Sequence, residues 1–312
     1  MYKRQVFREA TILLLQERLH WFDQRRARAD QDLAISLHDI FSILCCVDYE
    51  PSSTGLPSWA PDWSKPRETI SLGYSTSAPN LYNAGAMTRE SNLVIRPSGS
   101  SLLIKGVFLD TVQDFTHVCH NAETSSESPT TLNKGLITLS EFASRSRPCS
   151  SKEGVFTTFW KTVIAGRDAS GRQKCPLDYA DIFSLLLDES TGKRPSMPEQ
   201  TYSPRHLKGR FSLENLKTRA PGRTFQDVRK AYVNAMRNRR LCKTAQMCLG
   251  LVPSYSKAGD QIYVVPGCPV PFVMRALSGR RFHLIGECYV HGIMVGEIFE
   301  VEGVETVSMT VV

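Results

Sequence analysis

A chain of 312 residues with 41% apolar and 22% charged residues can bury a real core, as one large domain or two ordinary ones, which excludes a disordered or fibrous chain. The formal charge of +7 is a mild excess at this length, without the clustered basic stripe that specific nucleic-acid binding needs. The apolar run Leu33–Val47 is too short to span a bilayer and contains His38 and Asp39, and Val6–Leu15 is interrupted by Arg8 and Glu9, so neither a membrane span nor a secretory signal is expected.

In chain order, Val6, Phe7, Ala10, Leu13, Leu14 and Trp21 fall at helical spacing and predict an amphipathic helix beginning close to Met1. Ile40, Phe41, Leu44 and Cys45 predict a short buried helix. Pro51, Pro57, Pro61 and Pro66 then forbid helix through 50–66, an extended loop whose Trp59 and Trp63 are expected to bury their rings. From Tyr82 to Phe115 the apolar period falls to two, and Pro97–Ser101 is a tight turn, so 92–96 and 101–113 read as a hairpin. Gly106 inside the second run signals a bulge or a close backbone approach. Helical pieces follow at Leu136–Ala143, Val155–Ile164, Tyr179–Asp188 and Phe225–Asn238, with a loose polar stretch over Ser190–Pro221.

From Leu241 onward the pattern returns to strands: Gln261–Val265, Pro271–Leu277, Arg281–Val290 and Ile298–Val301, joined by small turns. Strands at 82–115 and at 241–302 would each have unpaired edges if left alone. The economical solution is an α+β fold in which the two distant β segments share one antiparallel barrel or sandwich, with the helical block inserted and N-terminal helices added.

The nine cysteines are odd in number, include the adjacent Cys45–Cys46, form no Cys-x-x-Cys pair and often sit in apolar runs. This is the pattern of reduced, buried thiols rather than a disulfide framework, and it points to the cytoplasm.

Candidate chemistry is sparse. His117, Cys119 and His120 supply a single local pair, where zinc wants two spaced pairs, so a strand end with incidental polar residues is the simpler reading. Glu287, Tyr289 and His291 form a polar row on a strand, but Glu287 and His291 would be about 13 Å apart at ~3.3 Å per residue, too far for a direct acid–base pair. Cys242 and Cys248 lie near Arg237, Arg239, Arg240 and Lys243, which could depress a thiol pKa, although no histidine partner is evident. That basic cluster is equally explained by the C-terminal end of a helix dipole. Neither the nucleophile elbow nor the glycine-rich phosphate loops occur. No catalytic, metal or cofactor residues are assigned, and no cofactor is expected.

Two motifs carry a resemblance. They are Leu56-Pro-Ser-Trp59-Ala-Pro-Asp62-Trp63-Ser64 and Leu284-Ile-Gly286-Glu287-Cys-Tyr289-Val-His291-Gly292-Ile-Met, with Gly296-Glu297 following. Between them come Ile104-Lys-Gly106-Val107, Gly259-Asp260, Pro271, Val273 and Arg275. In order and spacing these resemble the region that follows the HET domain in fungal heterokaryon-incompatibility proteins. The expected Gly-Arg-Arg-Phe-Phe-like lead near 238 is replaced by Asn238-Arg-Arg-Leu-Cys242. The resemblance implies that residues 1–66 are the tail of a HET-type N-terminal region. Residues 67–312 would then be a C-terminal β-rich domain with its helical insertion at about 135–240. It also implies a part in non-self recognition and the associated cell death. No HET effector segment is found here, so the chain reads as truncated, a non-catalytic recognition or regulatory module with another protein as its partner. The alternative is an enzyme of unrecognised type using Glu287, Tyr289 and His291.

Overall fold

The computed structural model describes residues 2–27, 41–50, 55–67, 69–73, 81–86, 96–98, 100–119, 129–147, 153–191 and 225–312. Helix α1 (Tyr2–Ala27) covers the predicted N-terminal helix. Among its described side chains Thr11 and Leu15 are buried, while Leu13 is 64% and Val6 46% exposed. The expected apolar face is therefore not the one that packs. The side chain of Trp21 and the stretch Leu33–Ile40 lie outside what is described. Phe41, Leu44 and Cys45 are buried as expected, in a short helical piece that tightens to a 3₁₀ turn at Leu44–Cys46.

The helical block matches the periodicity. Its members are α2 (Pro129–Ala143), α3 (Val155–Val163), α4 (Tyr179–Thr191) and α5 (Phe225–Met236). Helix α3 starts after the extended Gly154 and buries Phe159, Trp160 and Val163, with Trp160 stacked on Phe183 of α4. Helix α5 buries Val228, Ala231, Tyr232 and Ala235, the i, i+3, i+4, i+7 stripe of a surface helix. The left-handed Asn238 (φ 49°) ends that helical run and turns the chain into a strand. The loose stretch expected over Ser190–Pro221 falls outside the described residues after Thr191.

Among the described residues nine strands share one sheet. They are β1 (Arg96–Ser98), β2 (Ser101–Phe115), β3 (Arg239–Thr244), β4 (Leu249–Pro253), β5 (Gln261–Val264), β6 (Phe272–Ala276), β7 (Arg281–Glu287), β8 (Tyr289–Val290) and β9 (Thr306–Val311). The hairpin partner of β2 is thus residues 96–98, and residues 92–95 lie outside the description.

The long strand β2 organises the sheet. Leu102–Val107 pair with β9, Val107–Thr111 with β5, and Val112–Phe115 with β3. Because β5, β6, β7 and β9 are themselves joined edge to edge, β2 closes a five-stranded, barrel-like ring, and β3, β4 and β8 extend the sheet beyond it. Register shifts between Phe108 and Asp110 and between Val112 and Asp114 mark where β2 changes partner. The two distant β segments do share one sheet. It is not wholly antiparallel, because β7 and β9 run parallel.

Two expectations fail here, and one is met in its second form. The predicted strand at Ile298–Val301 is a 3₁₀ turn, Glu297–Glu300. Its place in the ring is taken by β9, whose Val307, Met309 and Val311 alternate along the strand. Residues 81–86 form turns rather than a strand. Gly106 is in regular register opposite Val307, and a Cβ there would meet Met309 Cε at 2.8 Å, so the close approach holds and the bulge lies further on.

One large apolar core runs through all these parts, joining Leu15, Trp59, Phe159, Phe183, Tyr232, Phe272 and Met309. The segment 41–73 is tied to the ring through its backbone: Tyr49 N–H donates to the Ile285 carbonyl at 3.2 Å and Ser58 N–H to the Val312 carbonyl at 3.0 Å.

Candidate functional site

Two polar clusters flank the turn between β7 and β8. The first centres on Glu287, the last residue of β7, whose side chain is 2% exposed. Its position depends on Gly286, which has φ 152° and bridges Asp48. A Cβ on Gly286 would lie 3.0 Å from both the Val47 carbonyl and a Pro253 ring carbon, so glycine alone lets the chain turn there. Glu287 Oε1 accepts from Arg67 Nη2 at 2.8 Å, Arg239 Nη2 at 3.1 Å and the Leu72 amide at 2.7 Å. Oε2 accepts from the Gly73 amide at 2.8 Å and the Ser71 hydroxyl at 3.1 Å. Burial pushes the Glu287 carboxyl up, but the Arg67 and Arg239 guanidiniums and the two amides outweigh it, leaving its pKa below the ordinary value. Arg239, on β3 and 1% exposed, is pulled down by burial and held charged by Glu287. It also caps α5 through the Ala235 carbonyl at 3.1 Å.

The second cluster joins the barrel to the helical insertion. His291 Nδ1 is 3.0 Å from the Tyr289 hydroxyl and Nε2 is 2.7 Å from Glu153 Oε2, just ahead of α3. A ring proton on Nε2 lets that nitrogen donate to Glu153 while Tyr289 donates to Nδ1, so every group has a partner. Glu153 also pairs with Lys161 of α3. The hydrogen bond from His291, then Lys161, bring the Glu153 carboxyl down to about 2 against the opposing effect of burial. Between the clusters, Arg167 donates to the Ser71 carbonyl at 2.9 Å and to the Leu72 carbonyl, and to the Tyr82 hydroxyl at 2.7 Å. Tyr82 in turn meets the Tyr289 ring edge-on at 5.9 Å.

The remaining singled-out residues are scattered. Trp59 is fully buried and its indole donates to the Ser100 carbonyl at 3.2 Å. Trp63 is 48% exposed, against expectation: it follows Pro61 and Asp62 in a surface turn where Asp62 accepts from the Ser64 amide at 3.1 Å. Asp260 binds Arg275 through both oxygens at 2.8 and 2.9 Å, while the Gly259 amide donates to the Val112 carbonyl at 2.9 Å. Gly292 and Gly296 take positive φ (86° and 97°) in the turns after β8, and Glu297 accepts from the Val295 amide at 2.7 Å.

The thiol reading fails. Cys242 is fully buried and pushed up to about 12 by that burial; Arg239 and Arg240 lie on β3 rather than at a helix end. Cys248 is disulfide-bonded, which corrects the expectation of thiols throughout, although seven described cysteines are free. Cys119 donates its amide to the Arg239 carbonyl at 3.3 Å, and His120 lies outside the described residues.

The residues that complete both clusters were not legible. Arg67, the Leu72 and Gly73 amides, Glu153, Lys161 and Arg167 come from far along the chain. The one signal in the sequence was the basic cluster of Arg237, Arg239, Arg240 and Lys243, of which Arg239 joins Glu287.

Fold and site together define a β-barrel scaffold into which helices are inserted, with its charged groups spent on joining segments. Residues 215–307 match the family model described as the Het-6 beta-barrel domain. This match supports the resemblance of the C-terminal region to that of the fungal heterokaryon-incompatibility proteins. Strand β2, which closes the ring, precedes the matched residues. Neither a curated protein nor a solved structure matches the chain.

Proposed function

We propose that this chain is a non-catalytic recognition or regulatory module in fungal non-self recognition and the cell death that follows fusion of incompatible cells. Its partner is another protein, and it acts in the cytoplasm. The observation that carries the reading is the commitment of Glu287: both oxygens are filled by two guanidiniums, a hydroxyl and two backbone amides. A carboxylate so held is a poor proton acceptor, because taking a proton would cost it two buried cations' compensation. Tyr289 and His291 hydrogen-bond to each other, and His291 to Glu153 rather than Glu287, so the polar row is divided between two structural joints. Among the described residues no helix is long and apolar enough to cross a membrane.

The test is genetic. The chain is expressed in one strain of a filamentous fungus, which is fused with strains of different incompatibility genotype, and surviving fusion cells are counted. Survival should change for particular genotype pairs and be unaffected in self-fusions. Equal survival in all pairings, or turnover of a metabolite by the purified chain, would overturn the proposal.

A further inference from the structure

Among the described residues Arg240 is a cation with no carboxylate beside it. Arg240 lies on β3, next to Arg239 but facing the other side of the strand. Its guanidinium carbon sits 4.6 Å over the Phe115 ring, and Nη1 makes a long contact of 3.4 Å to the Ser256 carbonyl. The Nε–H is buried with no acceptor, and the hydroxyl of Ser256, a residue 1% exposed, is buried with no partner among the described residues. Burial lowers the Arg240 pKa, and no carboxylate offsets it. Several other cations of the sheet are paired: Arg239 and Arg67 have Glu287, Arg275 has Asp260, and Lys243 has Asp114 at 3.4 Å. The adjacent Lys257 is exposed and forms no ion pair among the described residues, adding positive potential at the same corner.

Arg240 is half-buried with an Nε–H that lacks an acceptor, its Nη1 reaches the carbonyl of Ser256, whose own hydroxyl is an orphan, and a negatively charged oxygen acceptor would serve both groups. We infer that Arg240, Ser256 and the Phe115 ring form a binding site for an oxyanion, a carboxylate or a phosphate, carried by a ligand of this domain. The aromatic ring fixes the plane of the guanidinium, and a planar fork with free N–H groups suits an oxyanion better than a lysine would. The inference stands apart from the recognition proposal, since simple anions and the purified chain are enough to test it.

Inorganic phosphate and acetate are titrated separately, at ionic strength held constant with chloride, into the ¹⁵N-labelled chain, following the arginine Nε–H resonances and the melting temperature. One arginine resonance should shift in a saturable way. Arg240→Gln should abolish the response, and Arg240→Lys should weaken it about tenfold, because the fork is lost while the charge is kept. Ser256→Ala should weaken it about threefold through one hydrogen bond. The exposed Arg172→Gln should leave it intact. Saturation by phosphate alone would assign a phosphate-bearing ligand, and saturation by acetate a carboxylate of a partner chain. A linear, non-saturating response shared by wild type and the Arg240 variants would overturn the inference, leaving a bound water as the acceptor. Should Arg240→Gln fail to fold, Arg240→Lys and Ser256→Ala decide the matter.

Discussion

Glu287 and Glu153 are both carboxylates paired to cations, yet they sit in opposite settings. Glu287 is 2% exposed and draws on segments near residues 67, 72 and 239, whereas Glu153 is 28% exposed and draws on one histidine and one lysine. The buried cluster binds the N-terminal segment to the ring, and the outer one fastens the helical insertion to it. Desolvation makes the difference: inside, loss of one partner strands charges that water cannot reach, while at the rim water can take the partner's place.

The largest effect should follow from Glu287→Ala. It leaves Arg67 and Arg239 uncompensated and should cost about 3–5 kcal/mol, measured by chemical denaturation. A loss below 1 kcal/mol would mean that Glu287 is peripheral. Gly286→Ala comes next, at about 1–3 kcal/mol, because the new methyl meets the Val47 carbonyl in a backbone region that favours glycine. At the rim, His291→Ala should cost about 1–2 kcal/mol, with hydrogen exchange in α3 quickened more than in β5. Equal quickening in both elements would show that the two clusters are not separate joints.

Acid sharpens the contrast. Both carboxyls have folded pKa values below the ordinary 4.5, so each contributes stability that is present above that value and lost as pH falls through the folded one. For Glu153 the loss runs from pH 4.5 down to about 2. Asp48, raised by burial, works in the opposite sense. Glu153→Gln should flatten the lower part of the stability–pH curve, and an unchanged curve would remove Glu153 from the stabilising set. The smallest effect is expected for Trp63→Ala, within about 0.5 kcal/mol, since the ring is half exposed.

Much of the architecture could be read from periodicity. Helices α2 to α5 follow their apolar spacing, and the need to cover strand edges was enough to join β2 to the C-terminal strands. What failed was local. At Ile298–Val301 the short apolar run predicts a strand, whereas the left-handed Gly296 leads into a 3₁₀ turn that carries Glu297 and Glu300. Strand β9 lies beyond the predicted strands, although Val307, Met309 and Val311 alternate along it. On α1 the described buried residues are Thr11 and Leu15, and the helix lies against β1, a tertiary choice that the helix's own composition does not encode. The site was half visible. Gly286, Glu287, Tyr289 and His291 stand out in the sequence, but their partners lie more than a hundred residues away in most cases, where no spacing rule reaches.

The joint itself is best tested by amide hydrogen exchange on Glu287→Gln. The Leu72 and Gly73 amides, which donate to this carboxylate, should lose their protection, while Val264 and Val273 in the ring keep theirs. Wild-type protection at Leu72 and Gly73 in the variant would contradict the role assigned to Glu287 as the tie between the N-terminal segment and the barrel.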